Sequence, residues 1–503
     1  MSFIMEAYTT TIDEILQDDS VIDLIYDRLH FVMDDKMSKD VLRSSLRGNL
    51  KTMRNDLRVI IETEYVDKVY RDSYYRFFST KLKSYSRNCV RLSFFEAGFT
   101  TIDEFIAAGA DKLRILYDGF LVIRPLASSC IGRNAIAKRA KQNQDYVICQ
   151  APMKSTCMGV KLKVDAFPHS SQDGEYMSCA ETTVWTMLEY FGNKYTLYKP
   201  ALPTEVIDSL DSTAFERLTP TAGLNFQQLS LALKKHGLST KVYYHYNYAS
   251  EPEKFQEILN CYVESGFPIA LFLTKPKGGD GHAVVCIGRN NVDRVALTTK
   301  VKSIFAGSNH YSFWNNHNSN IVIIDDNYPC YQSAPFATPT QYYSDPYFNG
   351  MYISHFIVPL HCKIYLPAEI AIDASNYLVS RKVKAPDGSC IKTFLTSNRS
   401  YREYLMSNND FTPDQKQVYL QIEMPKFVWV TEVSTPEQLL KEKVNAVILL
   451  DATGNKSNYT DLSQLIFMQI AGKGYIFNGS RRIFEKFSLP LQPEFMAFKG
   501  NLK

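Results

Sequence analysis

The chain has 503 residues, of which 45% are hydrophobic and 22% are charged, and its formal net charge is +3. This length exceeds a single ordinary hydrophobic core, so we expect two or three domains. The composition excludes an intrinsically disordered chain, and the net charge is too small to indicate any class of partner.

The cysteines and the N-terminal residues indicate a compartment. The ten cysteines do not form a disulfide framework, and none occurs as Cys-x-x-Cys, so neither zinc nor a redox dithiol is predicted. The N-terminus soon reaches Asp13 and Glu14 and lacks the basic start and apolar core of a secretion signal. No uncharged apolar run reaches membrane-spanning length. We therefore expect a cytoplasmic protein in a reducing environment, with no cofactor, no metal and no membrane partner.

Residues 1–115 have the apolar periodicity of helices. Apolar side chains recur every three or four residues, as at Leu42, Leu46 and Leu50. Glycine and proline are scarce in this segment, as a helical fold requires. The sequence therefore predicts a helical N-terminal domain.

The next segment, 116–168, changes to short runs that are typical of strands. One run is Asp145-Tyr-Val-Ile-Cys, and another, Gly159-Val-Lys-Leu-Lys-Val-Asp, alternates polar and apolar residues. We expect a β-rich connector that packs on the domain that follows it.

A helix is predicted to begin beside Cys179. The run Gln172-Asp-Gly-Glu-Tyr-Met-Ser precedes this cysteine, and the helical run that starts at Ala180 is expected to end at Gly192. The positive end of a helix dipole favours a thiolate over a thiol, so Cys179 is the candidate nucleophile. The alternative is that Cys179 is a small buried apolar residue, as we expect for Cys261 and Cys286 in their apolar runs.

A histidine and two aspartates follow the cysteine in the chain. His282 begins the apolar run His282-Ala-Val-Val-Cys-Ile, and Asp325 and Asp326 follow the run Ile321-Val-Ile-Ile. An imidazole can hold the proton of a thiol, and a carboxylate can orient the imidazole. The two-residue period of a strand places the two aspartates on opposite faces. Gln172 is the candidate for stabilising an oxyanion beside the backbone N–H of Cys179.

Residues from about Gln172 to Asp326 resemble the papain-like cysteine peptidases, most of all the peptidase domains that process double-glycine leader peptides. Three blocks carry the resemblance: the glutamine-to-cysteine helix, residues 223–238, and residues 255–288. The resemblance implies a triad of Cys179, His282 and Asp325, with Gln172 as the oxyanion residue and a protein or peptide as substrate. Two features depart from the family: the glutamine lies seven residues before the cysteine instead of six, and the acid follows the histidine by 43 residues.

The resemblance also implies an α+β fold. The papain-like domain is expected over 169–365, with the nucleophile helix packed on a twisted antiparallel sheet and the active site in the cleft between them. Residues 289–319 then form an excursion inserted between two paired strands.

The last segment, 366–503, is predicted to be an α/β accessory lobe. The runs Lys426-Phe-Val-Trp-Val and Val444-Asn-Ala-Val-Ile-Leu-Leu flank the helix-like run Thr435-Pro-Glu-Gln-Leu-Leu. This succession of strand, helix and strand predicts at least some parallel pairing. No motif in the lobe indicates a ligand.

Several alternatives stay open at this point. The alternative for His282 is a structural role as a buried core residue. His169 is a second candidate for the base. Basic and aromatic residues interleave from Arg71 to Arg91, and a second basic patch runs from Arg133 to Lys141. Such a pattern is compatible with a nucleic-acid-sensing domain, although buried aromatics beside a solvated charged face explain it as well.

The function expected from the sequence is that of a cysteine peptidase regulated by its flanking domains. A bacterial effector inside a cell would fit this architecture. The alternatives are a deamidase or transglutaminase on the same scaffold, and a catalytically inactive papain-like interaction module. The sequence does not indicate the oligomeric state or the substrate.

Overall fold

The fold combines helices with antiparallel sheets. The computed structural model describes residues 6–31, 36–126, 129–210, 223–278, 281–304, 312–314, 320–383, 388–454, 462–478, 483–486 and 491–503. These residues form three large sheets and two small two-stranded ones. Within these ranges, no helix combines the length and the apolar character that crossing a membrane requires. The predicted α+β class is therefore confirmed.

The N-terminal unit is a five-stranded antiparallel sheet covered by helices. Its strands, in sheet order, are β1 (Ala7–Thr11), β2 (Arg58–Tyr65), β3 (Cys89–Phe95), β4 (Tyr117–Ile123) and β5 (Ile131–Ile136). Its helices are α1 (Ile12–Gln17), α2 (Asp19–Leu29), α3 (Lys36–Leu50), α4 (Lys68–Arg76), α5 (Ile102–Ala107) and α6 (Ala110–Leu116).

The prediction of a purely helical domain over 1–115 is wrong, because β1, β2 and β3 lie within it. β3 is buried along its whole length, so it lacks the alternation that marks a half-exposed strand. Its one charged residue, Arg91, pairs across the sheet with Glu62, and both side chains are almost fully buried. A charged pair inside the core resembles surface residues when only the sequence is read.

The segment 116–168 is rich in strands but is not a connector. β4 and β5 complete the N-terminal sheet, whereas β6 (Tyr146–Ile148) pairs with the middle sheet. The alternating run forms a hairpin of β7 (Ala151–Cys157) and β8 (Val160–Ala166), with Leu162, Val164 and Ala166 buried. The segment therefore contributes to three separate sheets.

The middle unit contains an antiparallel sheet with the order β14-β13-β11-β10-β15-β9. The helices of this part of the chain are α7 (Cys179–Lys194), α8 (Pro203–Asp208), α9 (Phe226–Lys235), α10 (Pro252–Glu264) and α11 (Arg294–Ile304). The strands are β9 (Ser239–Tyr244), β10 (Ile269–Thr274), β11 (His282–Asn290), β12 (Ser312–Phe313), β13 (Asn320–Ile324), β14 (Gln332–Pro335) and β15 (Tyr352–Leu360). β12 belongs to the C-terminal sheet.

The helix that begins at Cys179 packs on this sheet. Thr183 donates a hydrogen bond from Oγ1 to the backbone oxygen of Ala283, 3.3 Å away. The buried face of α7 shares one apolar core with β11 and with the N-terminal sheet. Gly192 does not end the helix as predicted, since α7 continues to Lys194. A Cβ at Gly192 would lie 2.1 Å from the backbone nitrogen of Pro200, so this position requires glycine for close packing.

The excursion predicted over 289–319 is seen in part: residues 289 and 290 belong to β11, and residues 305–311 and 315–319 lie outside the described residues. β11 pairs antiparallel with β13, with Val285 opposite Ile324, and the chain between them includes α11 and β12. The excursion reaches the C-terminal lobe, because β12 pairs parallel with β16 (Cys390–Ser397).

The C-terminal lobe is built on a seven-stranded sheet with the order β12-β16-β17-β19-β20-β21-β22. Its other strands are β17 (Phe427–Ser434), β18 (Lys443–Val444), β19 (Ala446–Asp451), β20 (Leu465–Ile470), β21 (Lys473–Asn478), β22 (Ile483–Lys486) and β23 (Phe495–Met496). Its helices are α12 (Ala368–Leu378), α13 (Asn398–Ser407), α14 (Pro413–Gln421) and α15 (Pro436–Leu440), and a π-helical turn, Val379–Val383, follows α12.

The predicted parallel pairing around α15 is wrong. β17 and β19 are antiparallel neighbours, with Val433 opposite Ala446. The helix between them has only five residues, which is too short for the crossover that a parallel pair requires. In the described part of this sheet, the pairing of β12 with β16 is the parallel one.

Candidate active site

The structure brings Cys179, His282 and Asp325 together. Cys179 is the first residue of α7, His282 is the first residue of β11, and Asp325 directly follows β13. Because β11 and β13 are antiparallel neighbours, the end of β13 lies beside the start of β11. His282 donates from Nε2 to Oδ1 of Asp325 at 3.0 Å. The side chain of Cys179 interacts with the same imidazole and helps to raise its pKa. The three side chains are therefore neighbours, with the imidazole between the thiol and the carboxylate.

Cys179 differs from most of the other cysteines in its exposure. It is half-buried, whereas eight of the other nine cysteines are buried and Cys362 is exposed. Cys261 and Cys286 are core residues, as expected. The first residue of a helix has a backbone N–H that no carbonyl of the helix can accept, so the thiol stands beside an available donor.

The carboxylate of Asp325 is held by four donors. Besides His282, it accepts hydrogen bonds from the hydroxyls of Tyr342 and Tyr343, at 2.7 and 2.6 Å, and from the backbone N–H of Asn327 at 3.0 Å. Burial alone would raise the pKa of Asp325, but attraction to His282 and these hydrogen bonds lower it below its usual range. Asp325 is therefore ionised and fixed in orientation.

The pKa of the His282 imidazole depends on the same charges. Burial disfavours the imidazolium form, but the attraction of Asp325 and the hydrogen bonds with Asp325 and Cys179 raise the pKa of His282 well above its usual value. Since Nε2 faces Asp325, Nδ1 is the ring nitrogen left for the thiol proton. His282 is suited to accept that proton and to keep it.

Asp326 has a different environment from Asp325. Its Oδ1 lies 3.8 Å from Nε2 of His282, and neither of its carboxylate oxygens has a hydrogen-bond partner in the part of the chain that is described. Burial raises the pKa of Asp326, and the neighbouring Asp325 raises it further, more than attraction to His282 lowers it. Of the two candidates, Asp325 has the geometry of the orienting acid.

His169 is not a base for this thiol. Its Nδ1 accepts from the side-chain amide of Asn134 at 2.7 Å, and its Nε2 donates to the backbone oxygen of Asp325 at 2.9 Å. Burial lowers the pKa of His169 to about 4, so the ring is neutral near pH 7. Both ring nitrogens are used in positioning the chain around Asp325.

Gln172 lies beside the acid end of the triad. Its Nε2 donates to Oδ1 of Asn327 at 3.0 Å, and Asn327 donates from Nδ2 to the hydroxyl of Tyr343 at 3.2 Å. The backbone oxygen of Gln172 accepts from Arg124 of the N-terminal unit at 3.2 Å. In the described part of the chain, no hydrogen bond joins the side chain of Gln172 to Cys179, so its role at an oxyanion stays a prediction.

The loop between Gln172 and Cys179 is fixed by a residue that the sequence analysis missed. Oδ1 of Asp173 accepts the backbone N–H groups of Glu175, Tyr176 and Met177, at 3.0, 2.6 and 2.8 Å. The turn passes through Gly174 with a φ of 74°, a conformation that favours glycine. The Asp-Gly pair was the signal of this tight turn in the sequence.

Tyr342 and Tyr343 were also missed. They follow Asp325 by 17 and 18 residues, and no spacing rule connects them to it. The ring of Tyr343 stacks on Phe348 at a centroid distance of 3.8 Å, and Phe348 in turn contacts the edge of His282 at 5.6 Å. The aromatic side chains shield the bond between His282 and Asp325 from water.

A metal ion is the other ligand that these residues could hold. The ligand atoms of His282, Asp325 and Asp326 lie within 4.8 Å of one another. However, both oxygens of Asp325 already accept hydrogen bonds, and the imidazole is engaged by the acid and the thiol. The arrangement favours an orienting acid over a metal ligand.

Packing explains part of the basic and aromatic run from 71 to 91, although Tyr75, Arg76, Lys83 and Arg87 are exposed. Phe77 and Phe78 are buried, and Arg91 is paired with Glu62 inside the sheet. In the second basic patch, Arg133 is buried against Asp67 at 3.1 Å. These contacts give a structural role to the buried members of both patches.

Neither the protein-family models nor the curated proteins searched give a match to this chain. The function is therefore inferred from the chemistry of the site, which brings together a thiol, an imidazole and a carboxylate.

Proposed function

We propose that this chain is a papain-like cysteine peptidase that hydrolyses a protein or peptide substrate. The observation that carries the proposal is that the imidazole of His282 is hydrogen-bonded to Asp325 and interacts with the side chain of Cys179, the first residue of α7. Residues far apart in sequence converge there in the order nucleophile, base and acid.

In the first half-reaction, His282 holds the proton of Cys179, and Sγ attacks the carbonyl carbon of the substrate. The carbonyl oxygen becomes an oxyanion, which the backbone N–H of Cys179 and the side-chain amide of Gln172 stabilise. Nδ1 of His282 then donates its proton to the leaving amine, and the C–N bond breaks. The product is a thioester on Cys179.

In the second half-reaction, water replaces the amine. His282 takes a proton from the water while the water oxygen attacks the thioester carbon. His282 then returns that proton to Sγ of Cys179 as the C–S bond breaks. Asp325 stays ionised throughout, because the role of the acid is to orient the imidazole and stabilise its charged form.

The surrounding fold supports the papain-like assignment. The cysteine begins a helix that packs on an antiparallel sheet, the histidine begins a strand of that sheet, and the acid ends the neighbouring strand. All ten cysteines are free thiols, which supports the proposal of a reducing, cytoplasmic setting.

The N-terminal unit takes part in the site in this proposal. Arg124 and Ser129 both donate hydrogen bonds to the backbone oxygen of Gln172, and the N-terminal sheet shares its core with α7. Regulation by this unit would act through the position of the loop between Gln172 and Cys179.

The experiment that tests the proposal is a comparison of protein N-termini in cells that express wild type, Cys179→Ala or Cys362→Ala. Cys362 is an exposed cysteine outside the site and is the matched control. We expect new N-termini with the wild type and the control but not with Cys179→Ala. Side-chain deamidation without new N-termini would contradict peptidase activity and indicate a deamidase on the same scaffold.

A further inference from the structure

A cavity of about 340 Å³ lies away from the triad, where the middle unit meets the C-terminal lobe. Its walls come from the end of β11, the excursion that follows, the end of α10, strands β16 to β18, helix α15 and residues 497–502. Sites for small molecules usually have volumes of roughly 300–1,000 Å³, so the cavity has the size for a small metabolite and not for a folded partner.

One wall of the cavity is a cationic cluster around an indole ring. Glu264 is bonded by Arg289 and by Lys392, whose Nζ lies 3.4 Å away, and it also accepts from Nε1 of Trp314 at 3.2 Å. Arg289 and Lys392 both approach the ring of Trp314, at 5.6 and 5.9 Å from its centroid. A single carboxylate therefore serves two cations here.

A second group of lining residues also has more cations than carboxylates. Glu442 pairs with Arg294 at 2.8 Å and also with Lys499. Burial lowers the pKa of Arg294, and repulsion from Arg289 lowers it further. Burial likewise lowers the pKa of Lys499, with repulsion from Arg294 and Lys392 adding to it. The two carboxylates leave an excess of positive charge facing the cavity.

The buried carboxyl group of Glu432 also lines this cavity. Glu432 is 2% exposed, and its Oε1 accepts from the backbone N–H of Phe498 at 2.8 Å, whereas its Oε2 has no hydrogen-bond partner among the described residues. Burial raises the pKa of Glu432 to about 7, against the attraction of Lys392. In its protonated form, Glu432 would present a hydrogen-bond donor instead of a negative charge.

We propose that this cavity binds a small molecule that carries a phosphate group. Five cationic side chains and three carboxyl groups line the cavity, so two positive charges remain when all are ionised, and these match a phosphomonoester dianion. Trp314 and Leu439 supply apolar surface for the organic part of the ligand. The bound ligand would join the excursion, which connects the two strands of the triad, to the C-terminal lobe.

Isothermal titration calorimetry on the full chain tests this, with AMP and inorganic sulfate as charged probes and adenosine as the uncharged one. We expect AMP and sulfate to bind and adenosine not to bind at the same concentration. The double variant Arg294→Gln, Lys499→Gln should weaken both affinities by about tenfold or more, because each lost contact is a hydrogen bond to a charged group. The control Arg76→Gln, Lys363→Gln removes two exposed cations elsewhere and should leave both affinities unchanged.

A second measurement uses the pH dependence of sulfate binding, since sulfate keeps its charge near neutrality. Lys392 and Glu264 face Glu432, and Lys443 and Lys499 line the same cavity. Wild-type affinity should fall as pH rises through about 7, and Glu432→Gln should remove this dependence. The proposal would be overturned if neither charged probe binds, or if the cavity variant and the control have equal affinities. An unchanged pH profile in Glu432→Gln would also overturn it.

Discussion

His169 donates a hydrogen bond from Nε2 to the backbone oxygen of Asp325, 2.9 Å away, and by this bond a histidine outside the triad holds the acid in place. Its other nitrogen accepts from Asn134, a residue of β5, so the bond links the N-terminal sheet to the end of β13. The orientation of Asp325 thus depends on two units of the fold.

Replacing His169 should affect stability more than chemistry. In His169→Ala the amide of Asn134 and the backbone oxygen of Asp325 both lose a buried partner, so we expect a loss of about 2–3 kcal/mol in the free energy of unfolding. The rate at which iodoacetamide alkylates Cys179 should stay close to that of the wild type. Urea unfolding and the alkylation rate measure the two effects. Loss of alkylation with little change in stability would instead make His169 the base.

The two aspartates should differ strongly in activity. Asp325→Asn removes the charge that orients and stabilises the imidazolium, so we expect kcat to fall by about 10²–10⁴. Asp326→Asn is the matched isosteric control and should keep most of the activity, because Asp326 accepts no hydrogen bond from the imidazole. Steady-state kinetics on a cleaved peptide measure both variants. The reverse ranking would assign the acid to Asp326.

Asp326 should also give the fold a dependence on pH. Its pKa is raised in the folded state, so the folded chain binds the proton more tightly than the unfolded chain. The stability that depends on this proton is complete below the unfolded pKa of about 3.9 and is lost as pH rises through the folded value. Asp326→Asn should therefore be more stable than the wild type at alkaline pH, with the difference vanishing in acid. Thermal unfolding across pH measures it, and a constant difference would contradict the assignment.

The hydroxyl of Tyr343 should support catalysis without contacting substrate. It donates to Oδ2 of Asp325 and lies 3.1 Å from Nε2 of His282. Tyr343→Phe should lower kcat by about tenfold with KM little changed, since a hydrogen bond to a charged group contributes about 1.5–3 kcal/mol. Tyr328→Phe, whose ring packs beside Tyr343, is the control. Equal kcat in the two variants would show that the hydroxyl does not position the acid.

The parts of the site that follow from local periodicity could be predicted from the sequence. The apolar spacing after Cys179 predicted a helix there, and the apolar runs beside His282 and Asp325 predicted two strands that do pair. The alternation of the second run predicted that Asp325 and Asp326 lie on opposite faces of the strand. Of these two aspartates, only Asp325 lies at hydrogen-bonding distance from the imidazole.

The parts that depend on tertiary contacts could not be predicted. Tyr343 reaches Asp325 only because the chain returns over the site after β14, and no local pattern encodes that return. Arg91 and Glu62 read as surface charges until the pairing of β2 with β3 buries them against each other. The direction of β19 relative to β17 was predicted wrongly, because it depends on the length of α15, and five residues are too few to connect parallel strands.

The most direct measurement is the rate of alkylation of Cys179 by low concentrations of iodoacetamide, followed by mass spectrometry of the peptide that contains it. Cys362→Ala serves as the background for every variant, because Cys362 is the exposed cysteine and would otherwise compete for the reagent. If His282 holds the proton of the thiol, His282→Ala in this background should slow alkylation near pH 7 by about tenfold or more. Equal rates with and without His282 would contradict the proposed nucleophile and base.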